Sequence, residues 1–414
     1  MSASVRVRVP DLGTADVDTL LAEVAAAPVV EPFAPERLAC LAEFARLLGR
    51  RSALHPEARA LSYWMRRTEL ARMAEAFDRL ETPHVLRRPR GTVFHVPPAN
   101  VDTMFVYSWA ISAMLGNRNV VRLSSRTTEQ AELILGVLAE VLAEHPTVAA
   151  ANVMVEYGHD DDVSRRISAA SDVRVLWGGD ATVRLFRNFA IPPHATELTF
   201  SDRTSLAAIG TAAYDGLADH ERDALAERFV NDSYVFDQMG CSSPRQLVWV
   251  GDSDHQASSR DFHGRVAAAS QAKGYVIDTS ASIAKLGQAY RGAIDFDATG
   301  LSTDSAALTV LQVRDLAPAP EEFCGAGFLY ETRVASLTDL APALGRRHQT
   351  LAVFGISAEE AKELAVAVNG RGVDRIVPIG QALQFSRHWD GYDLFAEFTR
   401  QVTIDADDTD RGAR

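Results

Sequence analysis

The sequence predicts an α/β protein with two blocks of parallel β-sheet whose faces are covered by helices. From Gly91 onwards, short apolar runs alternate with amphipathic helices of roughly 10–15 residues, a pattern typical of βαβ units. The chain has 414 residues, which is too long for one ordinary domain and sufficient for two. Hydrophobic residues make up 47% and charged residues 23%, as in average globular proteins.

Residues 1–85 are predicted to be a mostly helical segment that packs on the domain after it. Two stretches have apolar residues at helical spacing. These are Leu41, Phe44, Ala45, Leu47 and Leu48 in one stretch, and Leu70, Met73, Phe77 and Leu80 in the other.

Residues 86–210 are predicted to form the first α/β domain, whose architecture is of a nucleotide-binding kind. Its predicted strands are 92–96, 120–123, 153–157, 173–177, 197–200 and 206–209. Because helices connect most of them, we expect a parallel sheet that is buried on both faces.

Residues 211–375 are predicted to form a second α/β domain, and residues 376–414 to return to the first domain or to form an oligomer interface. Predicted strands are 246–250, 275–278, 309–313, 328–334 and 351–354. Predicted helices are 221–230, 256–272 and 358–368. The polar end, 405–414, is predicted to fray.

Charge and cysteine content exclude several classes of protein. The formal net charge of −13 argues against general binding of nucleic acid or anionic membranes, which requires basic surface. No stretch approaches the roughly 18 apolar residues of a membrane span, and the N-terminus does not resemble a signal peptide. Cys40, Cys241 and Cys324 are too few for a disulfide framework or a four-cysteine zinc site. We therefore expect a cytoplasmic protein without a bound metal.

The segment 237–245, Asp-Gln-Met-Gly-Cys-Ser-Ser-Pro-Arg, is the sharpest candidate for chemistry. A glycine before Cys241 and Ser-Ser-Pro after it indicate a turn that presents the thiol to a cleft, beside backbone N–H groups. The alternative is that Cys241 is a small buried apolar residue, which is common for free cysteine. Cys40, on an apolar helix face, and Cys324 are interpreted as structural.

Polar residues and glycines follow three predicted strands of the first domain. They are Asn100 after the first strand, Arg122, Ser124, Ser125 and Arg126 at the carboxyl end of the second, and Gly178 and Gly179 after the fourth. Ligands of open α/β sheets bind at the carboxyl ends of strands, and arginine with serine suits a phosphate. The alternatives are a helix cap at the asparagine, a solvated basic turn, and an ordinary Gly-Gly turn. Dinucleotide-binding and P-loop glycine motifs are absent from the sequence, and its histidines lack metal-ligand spacing.

Taken in order, these motifs resemble the LuxC-type acyl-CoA reductases, a branch of the aldehyde dehydrogenase superfamily. Further matches are Arg-Ile-Val-Pro-Ile-Gly-Gln-Ala at 375–382 and Trp-Asp-Gly at 389–391. The resemblance covers residues 85–405. It implies an aldehyde-dehydrogenase-like fold with a Rossmann-like cofactor domain and an α/β catalytic domain.

The resemblance also implies a reaction. Cys241 is similar to the superfamily's nucleophile, which would attack the thioester of an acyl-CoA or an acyl-carrier protein and give an acyl-cysteine. Asn100 is similar to the asparagine that, with the Cys241 backbone N–H, stabilises the oxyanion. A nicotinamide cofactor would then reduce the acyl group to an aldehyde.

Two features of the cofactor region bear on this reaction. Relatives that use NAD often carry a glutamate three residues after a ribose-contacting lysine; the matching positions are Arg122 and Ser125. A serine flanked by Arg122 and Arg126 suits the 2′-phosphate of NADPH, which a carboxylate would repel. The second glycine of the cofactor loop corresponds to Arg184, so the cofactor is expected to bind in a different position from that in the superfamily.

The superfamily's general base lacks a secure counterpart. Glu197 is a weak candidate because it is displaced by two residues, with Thr199 in the expected place. A reductase gains from lacking a base aimed at water, since its acyl-enzyme must not be hydrolysed.

The sequence therefore predicts an NADPH-dependent acyl-thioester reductase. We also expect an acyl-transferring partner enzyme and a homo-oligomer. The alternatives are an oxidative aldehyde dehydrogenase, a non-catalytic acyl-binding subunit, and a cysteine hydrolase or acyltransferase, which would need a histidine partner.

Overall fold

The computed structural model describes residues 3–98, 101–125, 128–317 and 322–406, which fall into two compact units. Unit 1 comprises Met1–Ser201, Phe385–His388 and Tyr392–Arg414, and unit 2 comprises Asp202–Gln384 and Trp389–Gly391. These limits differ from the predicted boundaries at 210 and 375. The predicted strand at 206–209 belongs to the second sheet, not to the first.

Unit 1 contains most of the N-terminal half of the chain. Its strands are β1 (Ser4–Val9), β2 (Gly13–Asp16), β3 (Val85–Pro89), β4 (Thr92–Val96), β5 (Arg118–Leu123), β6 (Asn152–Glu156), β7 (Val173–Trp177) and β8 (Thr196–Phe200). Its helices are α1 (Val17–Ala26), α2 (Pro35–Arg51), α3 (Pro56–Trp64), α4 (Arg67–Asp78), α5 (Met104–Met114), α6 (Glu129–Glu144), α7 (Pro146–Ala150), α8 (Asp161–Ala169) and α9 (Asp180–Phe186).

The strand order in unit 1 is that of a doubly wound nucleotide-binding sheet. Among the described residues, the seven strands of the main sheet lie in the order β2-β1-β6-β5-β4-β7-β8. The strands from β6 to β8 in that order are all parallel, and β4, the first of them along the chain, is central. The chain therefore reverses its direction of winding between β4 and β7, where such sheets bind their ligands. The predicted parallel sheet is confirmed.

The N-terminus begins with two strands, β1 and β2, which were not predicted. Helices α1 to α4 confirm that residues 1–85 are mostly helical. Strand β1 pairs antiparallel with β6 and with β2. Val5, Val7 and Val9 are buried. The alternation of valine with arginine over these residues has the period of two that marks a half-buried strand.

A buried polar network ties the centre of the unit 1 sheet to α5. His95, on β4, has no exposed surface; its Nδ1 lies 2.7 Å from Ser108 Oγ and its Nε2 lies 2.9 Å from Asn119 Oδ1. Ser108 Oγ also accepts a hydrogen bond from Trp177 Nε1 at 3.1 Å. The amide oxygen of Asn119 needs a donor, so the proton lies on Nε2 and Nδ1 accepts from the serine hydroxyl. Burial lowers the pKa of His95 to about 4.

We expect His95 to make the protein less stable in acid. The imidazole is neutral when folded but binds a proton below about pH 6.5 when unfolded, so stability is lost as pH falls from 6.5 towards 4. This group alone should remove about 2 kcal/mol of unfolding free energy between about pH 7.5 and about pH 5. Urea titrations at both pH values would show this loss in the wild type and not in His95→Gln. An equal pH dependence of the two proteins would contradict the assignment.

Unit 2 contains the second sheet and its covering helices. Its strands are β9 (Thr204–Gly210), β10 (Pro244–Val250), β11 (Ala298–Ser305), β12 (Leu308–Val313), β13 (Phe328–Val334), β14 (His348–Phe354) and β15 (Arg375–Pro378). Its α-helices are α10 (Thr211–Asp215), α11 (Asp219–Ser233), α12 (Gln256–Ala272), α13 (Thr279–Asp295) and α14 (Ala358–Val368). Two 3₁₀ helices, Val235–Gln238 and Leu337–Leu340, complete it.

The second sheet is parallel except at one edge. Its strands lie in the order β11-β12-β13-β10-β9-β14-β15 within the described residues, and only β11 runs antiparallel to its neighbour. Trp249 and Phe262 are buried on one face of this sheet, and Leu351 and Leu364 on the other. The strand predicted at 275–278 is wrong; that segment is irregular, and β11 forms the edge instead.

The C-terminal stretch contains short elements: β16 (His388–Trp389), β17 (Tyr392–Asp393), α15 (Leu394–Glu397) and β18 (Thr399–Thr403). Strand β18 pairs antiparallel with β3, so both belong to unit 1. Among the described residues, no helix is both long and apolar enough to cross a membrane.

Candidate active site

The segment before Cys241 has an unusual backbone. Phe236, Asp237 and Gln238 have φ angles of 58°, 51° and 63°, in the left-handed region that non-glycine residues avoid. Each such residue costs about 1–2 kcal/mol, so neighbouring groups must hold the segment in place.

Gln238 stabilises this segment. Its side chain is buried, and Nε2 donates to the carbonyl oxygens of Pro244 at 2.7 Å and Phe328 at 2.8 Å. Its Oε1 accepts from the backbone N–H of Gly327 at 3.1 Å. One amide thus satisfies three backbone groups from two other parts of the chain, and burying it without these partners would be costly.

A second left-handed segment lies against the first. Gly325, Ala326 and Gly327 have φ angles of 66°, 53° and 75°. The Ala326 N–H donates to the carbonyl oxygen of Asp237 at 3.1 Å. A Cβ on Gly325 would lie 2.2 Å from that same oxygen, so only glycine fits there. The two segments therefore interlock.

Cys241 lies where the amino ends of strands β9, β10 and β14 meet. Its carbonyl oxygen accepts from Ser205 Oγ at 2.7 Å, and its Sγ accepts from Gln349 Nε2 at 3.4 Å. Ser205 and Gln349 are each the second residue of their strand, β9 and β14. Cys241 as a residue is partly exposed, although protein atoms surround its sulfur. The interpretation of Cys241 as a thiol presented on a turn thus has a geometric basis, although the turn lies at the amino edge of the sheet.

Gln349 has every polar atom engaged. Its Nε2 donates to Asp390 Oδ1 as well as to the thiol. Its Oε1 accepts from Ser242 Oγ at 2.7 Å and from Thr350 Oγ1 at 3.3 Å. Since two hydroxyls fix the amide oxygen, the NH₂ group is fixed towards Cys241 and Asp390.

The electrostatics of this cluster favour a neutral thiol at rest. Burial, and then the nearby Asp390 carboxylate, raise the pKa of Cys241 to about 11, against the opposing effects of Gln349, Ser242 and Arg245. Burial also raises the pKa of Asp390 to about 6, and Arg203 opposes that rise. The thiol must therefore lose its proton when it acts as a nucleophile.

Sequence reasoning missed Gln349 and gave Asp390 no role beyond the Trp-Asp-Gly match. Gln349 follows Cys241 by 108 positions and lies in an ordinary strand, so nothing local marks it. Asp390 has a φ of 49° and precedes Gly391, which is itself left-handed. An acidic residue in a tight turn after tryptophan is a signal that could have drawn attention to it.

Those residues predicted to bind a cofactor that the structure describes lie at the carboxyl edge of the unit 1 sheet. Arg122, near the end of β5, donates from Nη2 to the carbonyl oxygen of Gly158 at 3.0 Å and lies 4.8 Å from the ring centre of Tyr157. Ser124 and Ser125 follow β5 directly, and Gly178 and Gly179 follow β7. Asn100 and Arg126 lie outside the described residues.

Glu197, the weak candidate for a general base, is held by arginines within unit 1. Its Oε2 accepts from Nε of the buried Arg174 at 2.9 Å and also from Nη2. Its Oε1 accepts from Arg187 Nε at 3.1 Å. Both carboxylate oxygens are thus engaged by guanidinium groups, an arrangement typical of a structural ion pair.

Comparison with solved structures shows the fold. The aldehyde dehydrogenase 21 of Physcomitrella patens, determined with succinate, superposes with a TM-score of 0.65 at 14% identity, covering 98% of this chain and 94% of that one. An indole-3-acetaldehyde dehydrogenase complexed with NAD⁺ superposes with a TM-score of 0.64 at 15% identity, covering 97% and 93%. The predicted aldehyde-dehydrogenase-like fold is confirmed.

Comparison of sequences gives the family. The long-chain acyl-protein thioester reductase of Aliivibrio fischeri is 28% identical over 172 residues, which are 41% of this chain and 34% of that protein. The match thus spans about a third of the relative's length. A family model described as acyl-CoA reductase (LuxC) matches residues 65–401, most of the chain and both of its units. With that match over a fold of the aldehyde dehydrogenase type, the chain belongs to the LuxC family of acyl-CoA reductases.

Proposed function

We propose that this protein reduces an acyl thioester to an aldehyde through an acyl group carried on Cys241. The observation that carries the proposal is a partly exposed cysteine on a rigid turn, whose sulfur accepts a hydrogen bond from Gln349. A thioester substrate is supported by the Aliivibrio fischeri relative, which is named an acyl-protein thioester reductase.

The protein's residues would act in two stages on Cys241. The sulfur attacks the thioester carbonyl, the substrate's thiol leaves, and an acyl-cysteine remains. The oxyanion formed during attack would be stabilised by the Cys241 backbone N–H and by Asn100, as the family resemblance implies. Hydride addition gives a thiohemiacetal on Cys241, which collapses to the aldehyde and regenerates the cysteine.

NADPH is the proposed cofactor, and the residues at the carboxyl edge of the unit 1 sheet fit it. Bound NADPH supplies the hydride. Arg122 places a cation at that edge, and Ser125, which is exposed, offers a hydroxyl where NAD-dependent relatives often have a carboxylate. Gly178 and Gly179 leave room for close approach of the cofactor. The NAD⁺ complex of the indole-3-acetaldehyde dehydrogenase supports a nicotinamide cofactor for this fold.

Ser125→Glu is expected to shift cofactor preference from NADPH towards NADH. A carboxylate at this position would repel the 2′-phosphate, raising the KM for NADPH about ten-fold or more while leaving that for NADH nearly unchanged. Initial rates with each cofactor measure the effect, and Ser125→Ala, which adds no charge, is the matched control. Equal effects on both cofactors would contradict a role in selecting the phosphate.

Glu197 bears on the alternative of an oxidative aldehyde dehydrogenase. Oxidation needs a base that activates water against the acyl-enzyme. Because Arg174 and Arg187 engage both oxygens of Glu197, its geometry supports a structural role and favours the reductive proposal. We therefore do not assign Glu197 as the base.

The remaining proposals concern the carrier of the acyl group, and the partner, oligomeric state and cellular location of the protein. We propose acyl-CoA or an acyl-carrier protein as substrate, an acyl-transferring enzyme as partner, a homo-oligomer as the working form, and the cytoplasm as the location. The Aliivibrio fischeri relative supports a protein-bound acyl group most directly, since its name specifies an acyl-protein thioester.

The proposed activity is tested by following NADPH oxidation by absorbance with a panel of acyl-CoAs and with acyl-carrier-protein thioesters. Turnover that yields aldehyde with either carrier supports the proposal and defines the carrier. If NADPH binds but neither carrier is reduced, the activity is wrong as stated. If NADPH does not bind either, the non-catalytic subunit is the better account.

A further inference from the structure

One nitrogen atom links Cys241 to Asp390. Gln349 Nε2 has two hydrogens; one is donated to Cys241 Sγ and the other to Asp390 Oδ1. Two acceptors on one nitrogen lie within about 6 Å of each other. Ser242 and Thr350 donate to the amide oxygen of Gln349. The amide therefore cannot flip by 180°, and both acceptors keep their hydrogen bond from Nε2.

We propose that Cys241, Gln349 and Asp390 form a proton-sharing unit, in which Asp390 accepts the thiol proton as the sulfur attacks the substrate. This inference rests on the proposed function and deepens it, since it supplies the base for the acylation step. Gln349 is a positioning residue, whose NH₂ group stays bonded to both partners while the proton moves between them.

The proposed step is balanced in atoms and charge. The S–H bond of Cys241 breaks and its proton passes to Asp390, directly or through one bridging water, because the Gln349 NH₂ group donates both of its hydrogens and cannot relay a proton. The sulfur electron pair forms a bond to the thioester carbonyl carbon. The carbonyl carbon then releases the thiolate of the carrier, which takes the proton from Asp390. The products are the acyl-cysteine and a neutral carrier thiol, and Asp390 is again a carboxylate.

Burial makes a single shared negative charge the stable arrangement. Asp390 is buried, its side chain being 1% exposed. Two anions this close in a buried cluster repel each other strongly, so an ionised Asp390 opposes ionisation of the thiol. The pKa of about 6 for Asp390 makes it a carboxylate at neutral pH, while the pKa of about 11 for Cys241 keeps the proton on sulfur.

Other charged groups also act on Asp390 and Cys241. Arg203 Nε lies 3.9 Å from Asp390 Oδ2, and Arg203 Nη1 lies 3.0 Å from Asp374 Oδ2, so this arginine is shared by two carboxylates. Arg375 also favours the ionised form of Asp390, whereas Asp374 opposes it. Arg245 favours the thiolate. Asp390 is the anion that acts on both Cys241 and Gln349.

Asp390→Asn is the variant that tests the unit. Asparagine tolerates the left-handed backbone found at this position, so the turn should be kept while the charge is removed. The readout is the rate of Cys241 alkylation by iodoacetamide as a function of pH, without acyl thioester or NADPH. Cys40 and Cys324 are replaced by alanine in every protein compared, so that Cys241 is the only thiol that iodoacetamide can alkylate.

We expect the inflection of this pH profile to fall by about one to two pH units in Asp390→Asn. Because a thiolate of lower pKa is also less nucleophilic, the rate at neutral pH should rise only about three-fold to ten-fold. Asp374→Asn, which removes the other partner of Arg203, is the matched control and should leave the inflection within about half a unit. Gln349→Glu should move it upwards, since it replaces the donor with a second carboxylate.

The outcomes separate the inference from the proposed function. An unchanged inflection in Asp390→Asn, or an equal shift in Asp374→Asn, would overturn the proton-sharing unit. If Asp390→Asn does not fold, a failure of Gln349→Glu to raise the inflection overturns it instead. None of these measurements depends on reductase turnover. If the wild type reduces no thioester, the proposed function is refuted, but the alkylation profiles still test the proton-sharing unit.

The rate of acylation distinguishes a proton acceptor at position 390 from a residue with only a structural role. With an acyl-CoA that the wild type accepts, single-turnover acylation of Asp390→Asn should be at least ten-fold slower, although its alkylation is faster. Opposite effects on the two reactions of one sulfur would support a proton acceptor. Loss of both reactions together would contradict it.

Discussion

Cys241→Ala is expected to abolish NADPH-dependent reduction of acyl thioesters, lowering kcat about 10³-fold or more. The acyl group is proposed to be carried on this sulfur, and the methyl group of alanine has no nucleophilic atom to replace it. The stability of the variant should change little, because Cys241 is partly exposed and the hydrogen bond from Gln349 to its sulfur is long, at 3.4 Å. NADPH oxidation and a urea titration on the same preparation measure both effects.

Cys324→Ala is the matched control, since Cys324 is also a free and partly exposed cysteine of unit 2. It should keep near wild-type turnover. Mass spectrometry after incubation with acyl-CoA, without NADPH, should find one acyl group on the wild type and none on Cys241→Ala. An acyl group that persists in Cys241→Ala would place the covalent step on another residue.

Glu197→Ala is expected to lower the free energy of unfolding by about 3 kcal/mol or more. Removing this carboxylate leaves the buried Arg174 guanidinium without its anion, and an unpaired buried charge is among the most costly single defects. Arg174 would keep its hydrogen bond to the carbonyl oxygen of Phe189, which compensates only in part. Urea titration at neutral pH gives the free energy directly.

Arg187→Ala tests the exposed side of the same cluster. The Arg187 side chain is 61% exposed, so losing its contact with Glu197 should cost no more than about 1 kcal/mol. A Glu197→Ala protein that is as stable as the wild type but inactive would contradict the structural interpretation. It would return Glu197 to consideration as a catalytic base.

The sheet architecture could be predicted from the sequence because its signals are local. Buried parallel strands are apolar runs and their connecting helices are amphipathic, so each can be recognised within a window of a dozen residues. The bounds of α12 and α14 agree with the predicted 256–272 and 358–368. Which sheet a strand joins is not local, and this is why 206–209 was predicted in the first domain although β9 lies inside the second sheet.

The candidate site was predictable only in part. Gly-Cys-Ser-Ser-Pro pointed to a turn at Cys241, but three successive left-handed residues before it follow from no local rule. They are kept in place by Gln238, which bonds to Phe328 and Gly327 across about 90 positions. Gln349 was missed for the same reason, since the contacts of an ordinary strand glutamine with Cys241 and Asp390 exist only once the sheet has formed.

The interlocked left-handed segments, 236–238 and 325–327, have a consequence for protein engineering. The cysteine turn is shaped by residues far along the chain, so it is not a portable motif. Transplanting 237–245 alone into another scaffold would carry the nucleophile without the Gly325 position that admits the Asp237 carbonyl, or the Gly327 N–H that binds Gln238. A graft, or a chimera of two relatives, has to move both segments as one piece.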